Sequence, residues 1–158
     1  MPGDDSAWQG IGGAEIAALV PHAPPVLALD RIVSADESSL HARITVRQDS
    51  AFCESDAGVP VWVGLEYMGQ AVAALEGIRA RKSGQPVPVG YLLGTRQFVT
   101  TIQFFPVGVV LNVTVREVHS DPGGLAVVDG AISGDGIELE CRFSVFKKGN
   151  DGVDANER

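Results

Sequence analysis

Between residues 61 and 82 apolar side chains recur at helical steps: Val63, Tyr67, Met68, Ala71, Val72, Ala74, Leu75 and Ile78. Only Glu66, Gln70 and Glu76 interrupt them with polar groups before the closing basic residues. A helix that is apolar almost all round cannot lie on a surface, so the rest of the chain has to enclose it. Arg79, Arg81 and Lys82 suit the negative end of such a helix, and Ser83-Gly84 supplies a stop. Pro86 and Pro88 then force an extended path.

What encloses the helix has to come from the same 158 residues, which suffice for one core and one domain. Residues 13–20 suit a short helix that stops at Pro21, and 26–35 read as a strand. The Asp36-Glu37-Ser38-Ser39 cluster has turn chemistry, and behind it Leu40, Ala42, Ile44 and Val46 alternate with His41, Arg43, Thr45 and Arg47. After the long helix come four more strands, near 89–103, 107–119, 125–133 and 137–147. The last alternates without a fault, Ile137, Leu139, Cys141, Phe143 and Val145 against Glu138, Glu140, Arg142 and Ser144. Asp121-Pro122-Gly123-Gly124 and Gly134-Asp135-Gly136 make hairpin turns, and no helical crossover is present to turn the sheet parallel. The expected fold is therefore α+β of the hot-dog type: one antiparallel sheet of about six strands wrapped around a central helix. It should occupy residues 13–148, between an unstructured 1–12 and an unstructured 149–158, both polar and glycine-rich.

Composition adds limits. Apolar residues make up 45% and charged residues only 20%, more oil than one small domain needs, which points to an oligomer or an apolar ligand tunnel. A net charge of −8 opposes nucleic acid and anionic membrane as partners, so an acidic partner would need a local basic patch. Cys53 and Cys141 form neither a disulfide framework nor a zinc motif and read as reduced thiols. No secretory signal and no apolar run of membrane-spanning length is seen, so a cytoplasmic protein is expected.

Glu66 is the first candidate for chemistry, because its neighbours Val63, Leu65, Tyr67 and Met68 are all apolar. A carboxylate in such surroundings is paired, protonated or held for a reaction, unless it lies on an exposed stripe near the helix start. Gln70 stands one turn on, on the same face, able to hydrogen-bond that carboxylate or a ligand. Gly64 could let a ligand oxygen reach the helix-start amides, or could serve close packing.

The run Pro60-Val61-Trp62-Val63-Gly64-Leu65-Glu66-Tyr67-Met68-Gly69-Gln70-Ala71 resembles the helix start of the 3-hydroxyacyl-acyl carrier protein dehydratases of the FabZ type, with its catalytic Glu followed by Ala-Gln. Residues 20–31, with Pro21-His22 and Asp30-Arg31, are similar to that family's opening segment. Gly94, Phe98 and the run from Phe105-Pro106 to Leu111 resemble its strand pair. Within the family the likeness is greatest to the ApeP-type subunit of aryl-polyene clusters, whose dehydratases pair two hot-dog chains.

One departure bears on mechanism. The family carries a catalytic His in the loop before the Glu, and here no histidine stands between His41 and His119; the loop reads Ala51-Phe52-Cys53-Glu54-Ser55-Asp56-Ala57-Gly58-Val59-Pro60. Dehydration needs a base for the C2 proton, an acid for the departing hydroxyl and donors for the thioester carbonyl. The resemblance thus implies Glu66 as acid, Gln70 as its aid, Val63, Gly64, Tyr67 and Phe98 at the substrate, no cofactor and no metal. It also implies a homo- or heterodimer with another hot-dog chain, the latter supplying the missing His, and docking of acyl carrier protein at Arg79, Arg81, Lys82 and Arg96. A hot-dog thioesterase working through Glu66 alone and a non-catalytic acyl-binding subunit are the rival readings. His22, between two prolines, is a structural or entrance residue; His41 and His119 read as solvated; Cys53 and Asp56 read as plain loop. Tyr91, Leu92, Leu93, Phe104 and Phe105 would add core, interface or tunnel wall.

Overall fold

The computed structural model describes residues 9–21 and 26–148. Strand β1 (Ile11–Gly12) leads into the short helix α1 (Ala14–Leu19), and β2 (Arg31–Ala35) pairs with β3 (Ser39–Thr45) as a hairpin. Strand β4 (Val59–Pro60) precedes a 3-10 turn over Val61–Val63 and the long helix α2 (Gly64–Ser83). Strands β5 (Val89–Thr100), β6 (Phe104–Phe105), β7 (Val110–Ser120), β8 (Leu125–Gly134) and β9 (Ile137–Lys148) follow.

All ladders are antiparallel, and seven strands lie in the order β1-β2-β3-β7-β8-β9-β5. The hot-dog arrangement is thus present, with one strand more than expected and a small β4–β6 ladder beside it. The extra strand is β1: Ile11 and Gly12 lie in the stretch expected to be loose, yet Ile11 is buried and pairs with Ile32. Residues 26–30 fall outside β2, and a side chain of α2, Gln70, takes the Val26 carbonyl and the Ala28 N–H. The strand expected over 89–103 breaks after Thr100, whose hydroxyl accepts from the Ile102 N–H, and resumes as β6.

Sequence periodicity accounts for the core. On β9 the alternate residues Ile137, Leu139, Cys141, Phe143 and Val145 are buried while Glu138, Glu140 and Arg142 are exposed. Helix α2 buries Tyr67, Met68, Ala71, Ala74, Leu75 and Ile78 within this sheet, each larger side chain contributing about 1.5–3 kcal/mol by leaving water. At its end Gly84 takes the left-handed conformation, φ 67°, and the Gln85 N–H donates to Ala80 O at 2.9 Å. At Gly77 an added Cβ would run into the Leu19 carbonyl, so this glycine lets α1 lie against α2.

The sheet ends differently on its two sides. Strand β1 closes one edge with two residues, whereas twelve-residue β5 is hydrogen-bonded among the described residues only to β9 and carries Val89, Tyr91, Leu92, Leu93 and Val99, 47–64% exposed. Among the described residues no helix is long and apolar enough to cross a membrane.

Candidate active site

Glu66 sits in the first turn of α2, half-buried, and receives a hydrogen bond from Gln70 Nε2 at 3.1 Å. Gln70 is 0% exposed, the one buried polar side chain among the described residues. Its Nε2 also donates to Val26 O at 2.8 Å, and its Oε1 accepts from the Ala28 N–H at 2.8 Å. The amide therefore stands in for a strand partner along residues 26–28 and fixes the carboxylate beside them. Both Nε2 hydrogens of Gln70 are engaged within the chain, and in this arrangement it serves as a positioning residue.

Two cavities meet at Glu66. The first, about 240 Å³, is polar in character and includes Asp30, Thr45, Arg47, Asp49, Ser50 and Tyr67 in its lining. The second, about 140 Å³, runs along α2 past Gly69, Val72 and Ala73 toward β5, with Tyr91 and Leu92 as wall. A larger groove of about 610 Å³ lies on the outer face of the sheet around His41, Arg116, Asp129 and Arg142 and does not include Glu66.

The polar cavity has a fixed rim. Asp30 accepts the Thr45 N–H at 2.6 Å and pairs with Arg47 at 3.0 Å, while the Arg47 N–H donates to Ser50 Oγ at 2.8 Å. Periodicity gives no hint of this clamp, although Asp30 belongs to the opening segment noted in the sequence. Phe52, in the left-handed region at φ 66°, meets Trp62 edge-on with ring centroids 6.0 Å apart, and both rings are exposed above the helix start. A bulky residue in that conformation is strained and marks the loop as a built feature.

Tyr67 is 3% exposed, stacks on Phe105 at 6.0 Å, and has its hydroxyl pushed up to about 12, by burial first and by Cys53 and Asp30 in addition. The phenol is therefore a neutral donor at any working pH. Val63 is wholly buried in the core. Gly64 has its N–H bonded back to Val61 O and Trp62 O, and an added Cβ would lie 3.0 Å from Ile132 Cδ1 and 3.2 Å from Phe105 Cζ. Its role in this geometry is close packing of helix on sheet. Phe98 is half-buried against the core and lines neither cavity at Glu66.

With this geometry in hand, the family model for ApeP-like proteins, described as ApeP dehydratase, matches residues 14–155. The chain belongs to the ApeP-like dehydratase family. Among solved structures, the dehydratase heterocomplex ApeI:P from Xenorhabdus doucetiae is similar with a TM-score of 0.78 and 24% identity, over 85% of this chain and 91% of that one. A Streptococcus mutans protein solved with acetyl-CoA has a TM-score of 0.56 at 16% identity, over 75% and 87%. The Escherichia coli PaaI protein of the phenylacetic acid degradation operon has 0.55 at 16%, over 73% and 80%. At these identities the solved structures speak for the fold. Among curated proteins none matches the chain.

The remaining named residues of this ApeP-like chain lie apart from Glu66. Arg79 contacts Glu76 at 2.7 Å and Glu117 at 3.0 Å and donates to Glu37 O, while Lys147 lies 3.0 Å from both carboxylates. This four-membered network ties α2 to β7 and β9 and holds Arg79 inside the fold. Arg81 and Lys82 are exposed in the last helical turn, and Arg96 is exposed on β5 opposite Arg142. His41 meets Asn112 Oδ1 at 2.9 Å and is half-buried rather than solvated; His119 is exposed at the end of β7. Cys53 is half-buried and Asp56 exposed. His22 lies outside the described residues.

Proposed function

We propose that this chain is the Glu-supplying subunit of a two-chain, cytoplasmic 3-hydroxyacyl-acyl carrier protein dehydratase serving fatty-acid-like or aryl-polyene synthesis. The observation that carries the reading is Glu66 at the junction of a polar and an apolar cavity, held there by buried Gln70. The polar cavity suits the thioester and its pantetheine arm, and the apolar one the acyl chain. Glu66 then stands where C3 of the substrate lies and protonates the departing hydroxyl. The 51–60 loop before the helix carries no histidine, and in this reading the base for the C2 proton comes from a partner chain.

The unpaired edge of β5 supports such a partner. A second hot-dog chain that adds its own edge strand there would satisfy the free backbone groups and cover Tyr91, Leu93 and Val99. The excess of apolar residues in the composition then has a use. Arg81, Lys82 and Arg96 are exposed basic side chains that suit an acidic carrier protein, whereas Arg79 is half-buried among carboxylates.

The test is co-purification with a His-bearing hot-dog subunit and assay on a 3-hydroxyacyl carrier protein. The pair should release the enoyl thioester and water, either chain alone should be inactive, and Glu66→Gln in an intact complex should cost at least about a hundredfold in rate. Release of free thiol would establish a thioesterase instead. Full activity of the Glu66→Gln complex would reduce this chain to a scaffold.

A further inference from the structure

Tyr67 presents a buried donor that no hydrogen bond among the described residues uses. Among the described residues its hydroxyl has no hydrogen bond, although the residue is 3% exposed. Native folds rarely leave a buried polar group without a partner, and an orphan of this kind points to a ligand that completes it. Its surroundings give the ligand a location. The side chain lines the polar cavity together with Glu66, Asp30, Ala51 and Phe52. The ring is anchored from the other side by Phe105.

The same cavity needs a donor. A thioester carbonyl becomes an enolate oxygen when its C2 proton is removed, and that charge has to meet a hydrogen-bond donor that is already in place. The Gly64 N–H at the helix start is turned back to Val61 and Trp62 and is not available. Arg47 lies on the rim and is bound to Asp30.

We infer that Tyr67 is a catalytic residue whose phenolic O–H donates a hydrogen bond to the thioester carbonyl oxygen of a 3-hydroxyacyl substrate. This rests on the dehydratase reading above. The partner's base takes the C2 proton, and the C–H electron pair moves onto the carbonyl oxygen, where Tyr67 holds it without giving up its own proton. The enolate then re-forms the carbonyl, the C2–C3 double bond forms, and the C3–O bond breaks. The hydroxyl departs as water with the proton from Glu66. Burial of the phenol keeps it protonated, so the donor is present throughout.

The experiment compares the wild-type and Tyr67→Phe complexes, the variant losing one oxygen while keeping the ring on Phe105. The expected result is a fall in kcat of roughly 10²–10³-fold with a much smaller rise in KM, an unaltered complex mass and an unaltered or raised melting temperature. A change of less than about threefold in kcat overturns the proposal, and so does a Tyr67→Phe chain that no longer folds or assembles, since the hydroxyl would then be structural. A second measurement is independent of turnover: binding of a 3-hydroxyacyl-pantetheine in which the thioester carbonyl is kept, against the thioether analogue without it, both titrated onto complexes inactivated by Glu66→Gln. Tyr67→Phe should weaken the first and leave the second unchanged; equal loss on both, or loss on neither, overturns the assignment. If the wild-type complex forms no enoyl product the dehydratase reading fails by itself, and the analogue pair still decides whether Tyr67 meets a carbonyl.

Discussion

Gln70 Nε2 lies 3.1 Å from Glu66 Oε1, and the same amide spans the backbone of Val26 and Ala28 in the opening segment. One buried side chain thereby sets the carboxylate and the wall beside it. In Gln70→Leu the Ala28 N–H and Val26 carbonyl lose their partner, at a cost of about 1–3 kcal/mol in stability. Urea denaturation should show that loss. Activity of the complex should fall further than stability alone accounts for, because Glu66 is no longer held.

Gly69 stands next to this pair on the helix, and an added Cβ there would meet nothing within 4 Å. Gly64 and Gly77 each have a packing reason within the chain, whereas Gly69 faces the smaller cavity. Gly69→Ala should therefore stabilise the helix by about 0.5–1 kcal/mol, read as a raised melting temperature. Gly69→Leu fills the approach to the 140 Å³ space and should lower kcat/KM for long acyl chains more than for short ones. Equal effects at all chain lengths would place the acyl chain elsewhere.

Glu117 governs part of the acid response. Burial pushes its carboxyl up, but hydrogen bonds and charge from Lys147 and Arg79 outweigh this and hold it below the ordinary 4.5. A folded value below the unfolded one means that the stabilisation is complete above the unfolded value and is lost as pH falls through the folded one. Wild-type stability should thus decline on going from about pH 5 toward about pH 3, and Glu117→Gln should be less stable at neutrality with a shallower acid decline. Denaturation midpoints across that range check both statements.

Leu93 and Val99 lie on the edge strand β5 at 58% and 64% exposure, and neither is in the buried core. Leu93→Lys with Val99→Lys should leave the melting of the isolated chain within about 0.5 kcal/mol and abolish association with the partner, read by native mass measurement. A complex that survives both charges would put the partner on another face.

The helix over 64–83 and the strands β7, β8 and β9 follow from periodicity alone, because each element buries one regular set of side chains and local spacing carries that information. The same holds for the stop at Gly84, where only a residue free to adopt positive φ fits. Glu66 stood out as a carboxylate among apolar neighbours, and Gln70 as its partner one turn away. Elsewhere local pattern was insufficient. Ile11 and Gly12 read as loose because a two-residue strand has no period, and they are ordered only by Ile32 and Arg31 across the ladder. Arg79 read as a docking residue since its charge is visible in sequence, while Glu117, which engages it, stands 38 positions further along the chain.

The sequence by itself determined the enclosed helix and the antiparallel sheet, and singled out Glu66 as the candidate carboxylate, all of which rest on neighbours within a turn or a strand. Only the tertiary structure decided what Gln70, Gly64 and Tyr67 do. Gln70 is bonded to backbone 42 and 44 residues away, Gly64 packs against Ile132 and Phe105, and the buried Tyr67 lines a cavity. Those roles depend on which distant groups arrive to fill or leave empty a side chain's bonding capacity, and such arrivals are settled by packing rather than by spacing along the chain.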